Sequence, residues 1–139
     1  MNELTEDRVP PTGDPYDIAS LNTALTETPY ENNFHYYPTI GSTSTHAMQQ
    51  AKDGAPSHSV YFADEQTAGR GRGGHTWHSA PSTGLYVSVL IRPKVTAADG
   101  LWFSLAAGLA VRDAIRQITT LNADLRWPND LLLGHPARK

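Results

Sequence analysis

The chain of 139 residues has the length of one ordinary domain, with 14 acidic and 11 basic residues and a formal net charge of −3. It contains no cysteine, which excludes disulfides, a thiolate nucleophile and a cysteine-ligated metal. No apolar run approaches the ~18 residues of a membrane span, and the acidic start of the chain is unlike a signal peptide. We therefore expect a cytoplasmic, loop-rich globular protein that does not contact a membrane.

The charges are unevenly placed along the chain. Residues 1–31 hold seven of the acidic residues and a single basic one, Arg8, whereas residues 32–139 hold ten basic residues against seven acidic ones. This mildly basic segment, residues 32–139, lacks the many phosphate-neutralising cations of a protein that coats DNA. It suits a site for one small anion.

The first predicted elements follow a polar leader. Residues 1–13 carry two adjacent prolines and no periodicity, and we expect them to be disordered. Asp14 and Pro15 have the order of an N-cap and a first helical residue. They predict a helix over about 15–26.

A strand, a helix and a second strand are predicted next. Aromatic and β-forming residues predict a strand over 34–40. The hydroxyl side chains of residues 42–45 are alternative N-caps for a helix over about 44–53, which Gly54 would end. Residues 59–63 are predicted to form the second strand.

The second half of the chain begins with a glycine-rich stretch. Residues 65–84 contain five glycines and a proline, and they are predicted to be irregular. Strict alternation of apolar residues predicts a strand over 85–91, and the longest helix is predicted over 99–119. Two short strands are predicted over 125–127 and 131–133. This order of elements indicates a mixed α/β or α+β sheet.

The glycine-rich stretch contains the most informative chemistry, because glycines alternate with arginines at Gly69-Arg70-Gly71-Arg72-Gly73-Gly74. Glycine lets backbone amides approach a ligand, and arginine offers a rigid fork of donors to a phosphate or carboxylate. A flexible surface loop and an RNA-contacting segment have the same composition. No Gly-Lys-Ser/Thr follows, which excludes a Walker A loop.

The surrounding sequence resembles a known family, the catalytic domain of biotin protein ligases. The resemblance lies in ADEQTAGRGRGGHTWHSAP, followed by GLYVSVLIRP, LAAGLAVRDAI and RWPNDLLL. It extends from about Tyr37 to Lys139. Two motifs joined by the expected strand and helix are far more specific than a single glycine-rich loop.

The resemblance implies a fold and an activity. The fold would be α+β, with a mixed, largely antiparallel sheet and flanking helices like that of class II aminoacyl-tRNA synthetases and biotin ligases. The activity would be that of a biotin–[acetyl-CoA-carboxylase] ligase: ATP, with Mg²⁺ on its phosphates, activates the substrate biotin to biotinyl-5′-AMP. The biotinyl group is then transferred to a lysine of the biotin carboxyl carrier protein of acetyl-CoA carboxylase.

The resemblance also assigns roles to residues of this chain. Arg70, Arg72 and Lys139 would be catalytic, although the spacing that leads to Lys139 is longer than in the family. Biotin would be bound by one set of residues and the ATP or adenylate by another: Ser42, Thr43, Gln66, Gly69 and Arg70 for biotin; Arg72, Trp77, Asn129 and Asp130 for the nucleotide. Hydroxyl and amide groups both donate and accept hydrogen bonds, as a urea requires.

Other polar residues have simpler interpretations. Ser44 and Thr45 are expected to act as N-caps rather than ligand contacts. His75 and His78 are three residues apart but have no third ligand nearby, so we predict no metal site. Asp64 and Glu65 are adjacent in sequence, and we expect a solvated strand edge rather than a catalytic pair.

Three alternatives remain open from the sequence. A lipoate or octanoate ligase or transferase would share the fold, and an RG-rich RNA-binding module would show salt-dependent RNA affinity. The third is an incomplete enzyme. We expect residues 14–139 to be a partial catalytic domain, ending before the family's remaining strands and its small C-terminal β-barrel, and to be an inactive or incomplete fragment. The short acidic leader predicts no winged helix and no DNA binding.

Overall fold

A computed structural model of the protein describes residues 15–126 and 130–133. The chain divides into two compact units, Met1–Arg92 and Pro93–Lys139. Within the described ranges, no helix combines the length and the apolar character needed to cross a membrane. The predicted disordered leader, residues 1–13, lies outside the described residues.

The first unit contains two helices and four strands. The helices are amphipathic segments close to their predicted positions, and the strands include one that is much longer than predicted. In chain order the elements are α1 (Ile18–Ala24), β1 (Phe34–Ile40), α2 (Thr43–Lys52), β2 (Ser59–Arg70), β3 (Thr76–Ser79) and β4 (Tyr86–Leu90).

Strand β2 is the centre of the sheet. β1 pairs with it in parallel, from Phe34 opposite Val60 to the end of β1, and α2 provides the crossover that a parallel pair needs. β3 and β4 both pair with β2 in the antiparallel direction. They lie end to end along its second side, since Val60 is matched with Val89 and Gln66 with Ser79. The predicted α+β class with largely antiparallel pairing is confirmed.

The prediction that residues 65–84 lack regular structure was wrong. β2 continues to Arg70, and the chain then turns back into β3. β1 pairs with β2 as far as Gln66, and the amide of Ala68 donates to the carbonyl of Gly41. Backbone pairing on both sides therefore outweighs the low strand propensity of glycine. A register shift between Gln66 and Gly69 accommodates the irregularity.

The two faces of the sheet are packed differently. On one face the ring of Phe62 packs edge-on against Tyr16, with centroids 4.7 Å apart, and also contacts Phe34. On the other face Tyr61 stacks on His35 and meets His46 of α2. The central segment of β2 is therefore buried on both sides and forms the core of the unit.

Two helix starts differ from the predictions. α1 begins after Asp17, whose carboxylate accepts the amide of Ser20 at 3.0 Å, rather than at residue 15; Asp14 lies outside the described residues. α2 is capped by Ser42, whose Oγ accepts the Thr45 amide at 3.4 Å. Ser44 and Thr45 lie within the helix, so the prediction that they act as N-caps was wrong.

In its described residues the second unit has a short 3-10 helix, Ala97–Asp99, a long α-helix and two short strands. The helix is α3 (Gly100–Ile118), and the strands are β5 (Ala123–Arg126) and β6 (Asp130–Leu133), which pair in the antiparallel direction. Gly108 of α3 faces Leu125, because a Cβ built on it would lie 2.8 Å from Leu125 Cδ1. The helix and the hairpin thus pack closely at this point.

Candidate functional site

The start of α2 and strands β2, β3 and β4 line an open, shallow cavity of about 260 Å³. Half of the residues that line it were predicted from the sequence to bind the ligand, and most of the others belong to β4. The predicted residues on its wall are Ser42, Thr43, Gln66, Arg70 and Trp77. The other wall residues are Ser44, Leu85, Tyr86, Val87 and Ser88.

Thr43 and Gln66 form the polar centre of this cavity. Gln66 Oε1 accepts two hydrogen bonds from Thr43, one from the backbone amide at 2.8 Å and one from the hydroxyl at 3.0 Å. The amides of a first helical turn have no partner within the helix. Gln66 satisfies one of them, and the first turn of α2 is thereby tied to β2.

Two further serines complete the cluster and were missed in the sequence. Ser88 Oγ donates to Thr43 Oγ1 at 3.0 Å, and Gln66 Nε2 donates to Ser79 Oγ at 3.0 Å. Ser88 has a weak sequence signal, because it lies on the polar side of the alternating strand. Ser79 has none, since its position opposite Gln66 follows only from the register of β2 and β3. We name Thr43, Gln66, Ser79 and Ser88 the polar cluster.

The polar cluster leaves donors available to a ligand. Gln66 Nε2 carries two hydrogens, and one is directed at Ser79. Ser42 is buried at 6% exposure, and because its Oγ acts as the acceptor for Thr45, its own hydroxyl hydrogen can still be donated. The arrangement suits a carbonyl or urea oxygen.

The glycine-rich segment forms the turn between β2 and β3. Gly69 of β2 lies directly opposite Trp77 of β3. A Cβ atom built on Gly69 would lie 2.6 Å from the Trp77 carbonyl oxygen and 2.9 Å from Ser79 Oγ. Only glycine fits there without a shift of the backbone. At the turn itself the amide of Gly71 donates to the carbonyl of His75 at 2.7 Å.

A second cavity, of about 560 Å³, follows this turn. Mostly small residues line it: Thr67, Ala68, Gly69, Arg70, Gly71, Gly74, His75 and Thr76. Arg70 also lines the first cavity. Arg70 therefore stands where the two cavities meet. Arg72 begins a short 3-10 helix, Arg72–Gly74, and its side chain lies outside the described part.

Trp77 is on the rim of the first cavity rather than in a core. It is 60% exposed, which leaves one face of the indole ring available for a ligand. Leu85, at 70% exposure, lies on the same wall. These apolar groups stand beside the polar cluster, as is typical of sites for small organic ligands.

The remaining predicted residues fall in the other unit. Asp130 begins β6 and is matched with Arg126 across the hairpin. Asn129 and Lys139 lie outside the described residues. Their predicted roles stay predictions.

The prediction that Asp64 and Glu65 lie on a solvated strand edge was wrong for Asp64. Asp64 is not on a solvated edge: it is 7% exposed and accepts the amide of Ser82 at 2.8 Å. Glu65 is half-buried and accepts the hydroxyl of Thr39 at 2.9 Å. Over residues 15–126 and 130–133, no three histidine or carboxylate groups cluster as metal ligands would.

One phenol near the site has a perturbed acidity. Burial raises the pKa of Tyr16 above its ordinary value of 10.0, and the negative charge of Asp64 nearby raises it further. The Tyr16 hydroxyl donates to the carbonyl of Gly84 at 3.1 Å. Tyr16 thus connects β2 with the loop that leads into β4.

Comparison with known proteins gives consistent matches. Residues 36–139 match the model of the biotin/lipoate A/B protein ligase family. The chain is 35% identical over 99 residues to the bifunctional ligase/repressor BirA of Bacillus subtilis, and 38% identical over 97 residues to the biotin–[acetyl-CoA-carboxylase] ligase of Mycobacterium tuberculosis. These alignments cover 71% and 66% of this chain, but only 30% and 36% of the relatives.

A solved structure gives the same result. The biotin protein ligase of Aquifex aeolicus, in complex with biotin and ATP, superposes with a TM-score of 0.59 at 36% identity. The match covers 71% of this chain and 40% of that one. The chain thus spans between 30% and 40% of the length of these three proteins.

Proposed function

Because the chain belongs to the biotin/lipoate A/B protein ligase family, we propose that it is part of a catalytic domain that activates biotin with ATP and transfers biotin to a carrier protein. The observation that carries this proposal is the meeting of Ser42, Thr43, Gln66, Arg70 and Trp77 on one cavity. These residues come from three separate stretches of the sequence, at 42–43, 66–70 and 77. Each was assigned to the ligand from its resemblance to the family.

Recognition of biotin would rest on the polar cluster. The urea oxygen of biotin is an acceptor, and the Ser42 hydroxyl and the second hydrogen of Gln66 Nε2 are donors beside the cavity. The cluster aligns the Gln66 donor in advance, because Thr43 and Ser79 hold both ends of the Gln66 amide. Pre-alignment lowers the cost of ordering the site on binding.

Arg70 would hold the reacting carboxylate. The reaction joins two anions: a carboxylate oxygen of biotin attacks the α-phosphorus of ATP, a new P–O bond forms, and pyrophosphate leaves. Arg70 lines both the cavity proposed for biotin and the cavity of the glycine-rich turn, where its guanidinium would reduce the repulsion between the two anions. Gly69 permits the close approach of the backbone.

The nucleotide would be held by the second group of residues. We assign Arg72, Trp77, Asn129 and Asp130 to ATP and the adenylate, and Lys139 to charge stabilisation, from the resemblance alone. Mg²⁺ would arrive on the phosphates of ATP and balance their charge.

The acceptor would be a protein lysine. Its amine attacks the acyl carbon of biotinyl-5′-AMP, AMP leaves, and the nitrogen loses a proton as the amide forms. We propose the biotin carboxyl carrier protein of acetyl-CoA carboxylase as the acceptor and the cytoplasm as the location. We also propose that the chain does not bind DNA, since residues 32–139 hold only ten basic residues against seven acidic ones.

Thermal unfolding of the 139-residue chain with a non-hydrolysable biotinyl-adenylate analogue tests the proposal. At 100 times its dissociation constant a ligand adds about 2.7 kcal/mol, which raises the midpoint of a domain of this size by roughly ten degrees. Lipoyl- and octanoyl-adenylate analogues in parallel test the related activities, because neither acyl group carries a urea for the polar cluster. An equal or larger shift with either of them, or none with the biotinyl compound, would contradict the proposal.

A further inference from the structure

We propose that Tyr16 and Asp64 form a clamp that fixes the loop of residues 80–85 and so positions the apolar wall of the ligand cavity. The proposal rests on the proposed function, because the wall matters only if the cavity binds a ligand. Tyr16 lies before residue 36, where the family match begins. A segment outside the matched region would therefore support the site.

Each member of the clamp holds a different point of the loop. Asp64 Oδ1 accepts the amide of Ser82 at 2.8 Å, and the Tyr16 hydroxyl donates to the carbonyl of Gly84 at 3.1 Å. Ser82 has φ of 57°, a left-handed conformation that costs energy for a residue other than glycine. The bond to Asp64 offsets that cost.

The clamp is itself anchored in the core. Asp64 lies on β2 at 7% exposure, and its neighbour Ala63 is fully buried. The ring of Tyr16 packs edge-on against Phe62 and Tyr36, with centroids 4.7 and 6.1 Å away. Both anchors are thus on rigid structure, and the loop is held from one side of the sheet.

The loop leads directly into the cavity wall. Leu85 follows Gly84, and Leu85 and Tyr86 both line the cavity. The hydroxyl of Tyr86 donates to the carbonyl of Ala80 at 3.2 Å, which closes the loop on itself. A shift of the loop would therefore move both side chains relative to the polar cluster.

Amide hydrogen exchange and biotin binding, measured on the 139-residue chain, test the clamp. Asp64→Ala should speed exchange of the Ser82 amide roughly tenfold, and Asp64→Asn should restore protection, because an amide oxygen can still accept. Tyr16→Phe keeps the ring but removes the donor to Gly84, and should weaken biotin binding roughly tenfold at unchanged exchange of the core amides of β2. Glu65→Ala, the neighbouring carboxylate, is the matched control and should change neither quantity.

The outcomes separate the two proposals. Unaltered exchange across residues 80–85 in both Asp64→Ala and Tyr16→Phe would overturn the clamp. A looser loop with unchanged biotin affinity would overturn its positioning role. If the unmodified chain binds no biotin, the proposed function fails and the positioning role fails with it, while the exchange data still decide whether Tyr16 and Asp64 hold the loop.

Discussion

Gln66 and Thr43 are joined by two hydrogen bonds to one atom: Oε1 of Gln66 accepts the Thr43 amide at 2.8 Å and the Thr43 hydroxyl at 3.0 Å. This relationship fixes the orientation of the Gln66 amide, because its oxygen must face α2. Its nitrogen then faces Ser79. The directions in which Gln66 and Ser88 donate therefore follow from this pair.

Replacing Gln66 by glutamate tests that orientation. Gln66→Glu keeps an oxygen for Thr43 but removes the donor to Ser79 and adds a charge in a half-buried site. We expect biotin binding to weaken by about tenfold or more, the usual scale for an unsatisfied polar group, as measured by calorimetric titration. Gln49→Glu makes the same change on the exposed side of α2 and should leave the affinity as it is; equal losses in both variants would argue against the role of Gln66.

Gly69 is required by the close approach of β2 and β3. In Gly69→Ala the new Cβ would lie 2.6 Å from the Trp77 carbonyl, so the hairpin must move. We expect the free energy of unfolding to fall by about 1–3 kcal/mol, as for other overpacked sites, in urea titration. Gly41→Ala is the control, because a Cβ there meets nothing within 4 Å. Equal free energies of unfolding in the two variants would show that the close approach of Gly69 to Trp77 does not affect stability.

Arg92 ties the end of α2 to the end of β4. Its guanidinium donates to the carbonyl of Ala51 at 2.7 Å and, through two nitrogens, to that of Ala55 at 3.2 and 2.9 Å. Arg92→Ala should lower the free energy of unfolding by about 1 kcal/mol, and Arg92→Lys should recover only part, since an ammonium is a single point charge.

An exposed ion pair provides the comparison for Arg92. Arg112 contacts Asp113 at 2.8 Å with both side chains well exposed, so Arg112→Ala should cost less than about 0.5 kcal/mol. Both variants are measured by urea unfolding at the same ionic strength. Full recovery of stability in Arg92→Lys would show that charge, rather than the fork of donors, holds the two elements together.

Stability at alkaline pH depends on Tyr16. Since its pKa is raised above the ordinary value of 10.0, the folded state favours the neutral phenol. That stabilisation is complete below pH 10 and is lost as the pH rises through the raised pKa, because the folded state then binds more protons than the unfolded one. The free energy of unfolding should therefore decline more steeply above pH 10 in the unmodified chain than in Tyr16→Phe. Parallel curves would contradict this.

The secondary structure was predictable wherever one local pattern dominated. The alternating strand near 85–91 and the long helix near 99–119 appear as β4 and α3, with ends shifted by about one residue. The extended β2 was not predictable, because glycines argue against a strand, and only pairing with β1 and β3 shows why one forms there. The burial of Asp64 was not predicted for a related reason. An acidic residue type predicts solvent exposure, whereas the actual burial of the side chain depends on the neighbouring strands.

The sequence by itself determined the family, and it predicted the candidate ligand residues, because the GRGRGG segment and the RWPND string are rare combinations whose chemistry is carried by residue type. It did not reveal Ser79 and Ser88, the two serines that align Gln66 and Thr43. It also did not reveal the hold of Tyr16 and Asp64 on the loop of residues 80–85. These contacts join residues from 13 to 68 positions apart, and strand register, which brings such residues together, is a property of the folded chain.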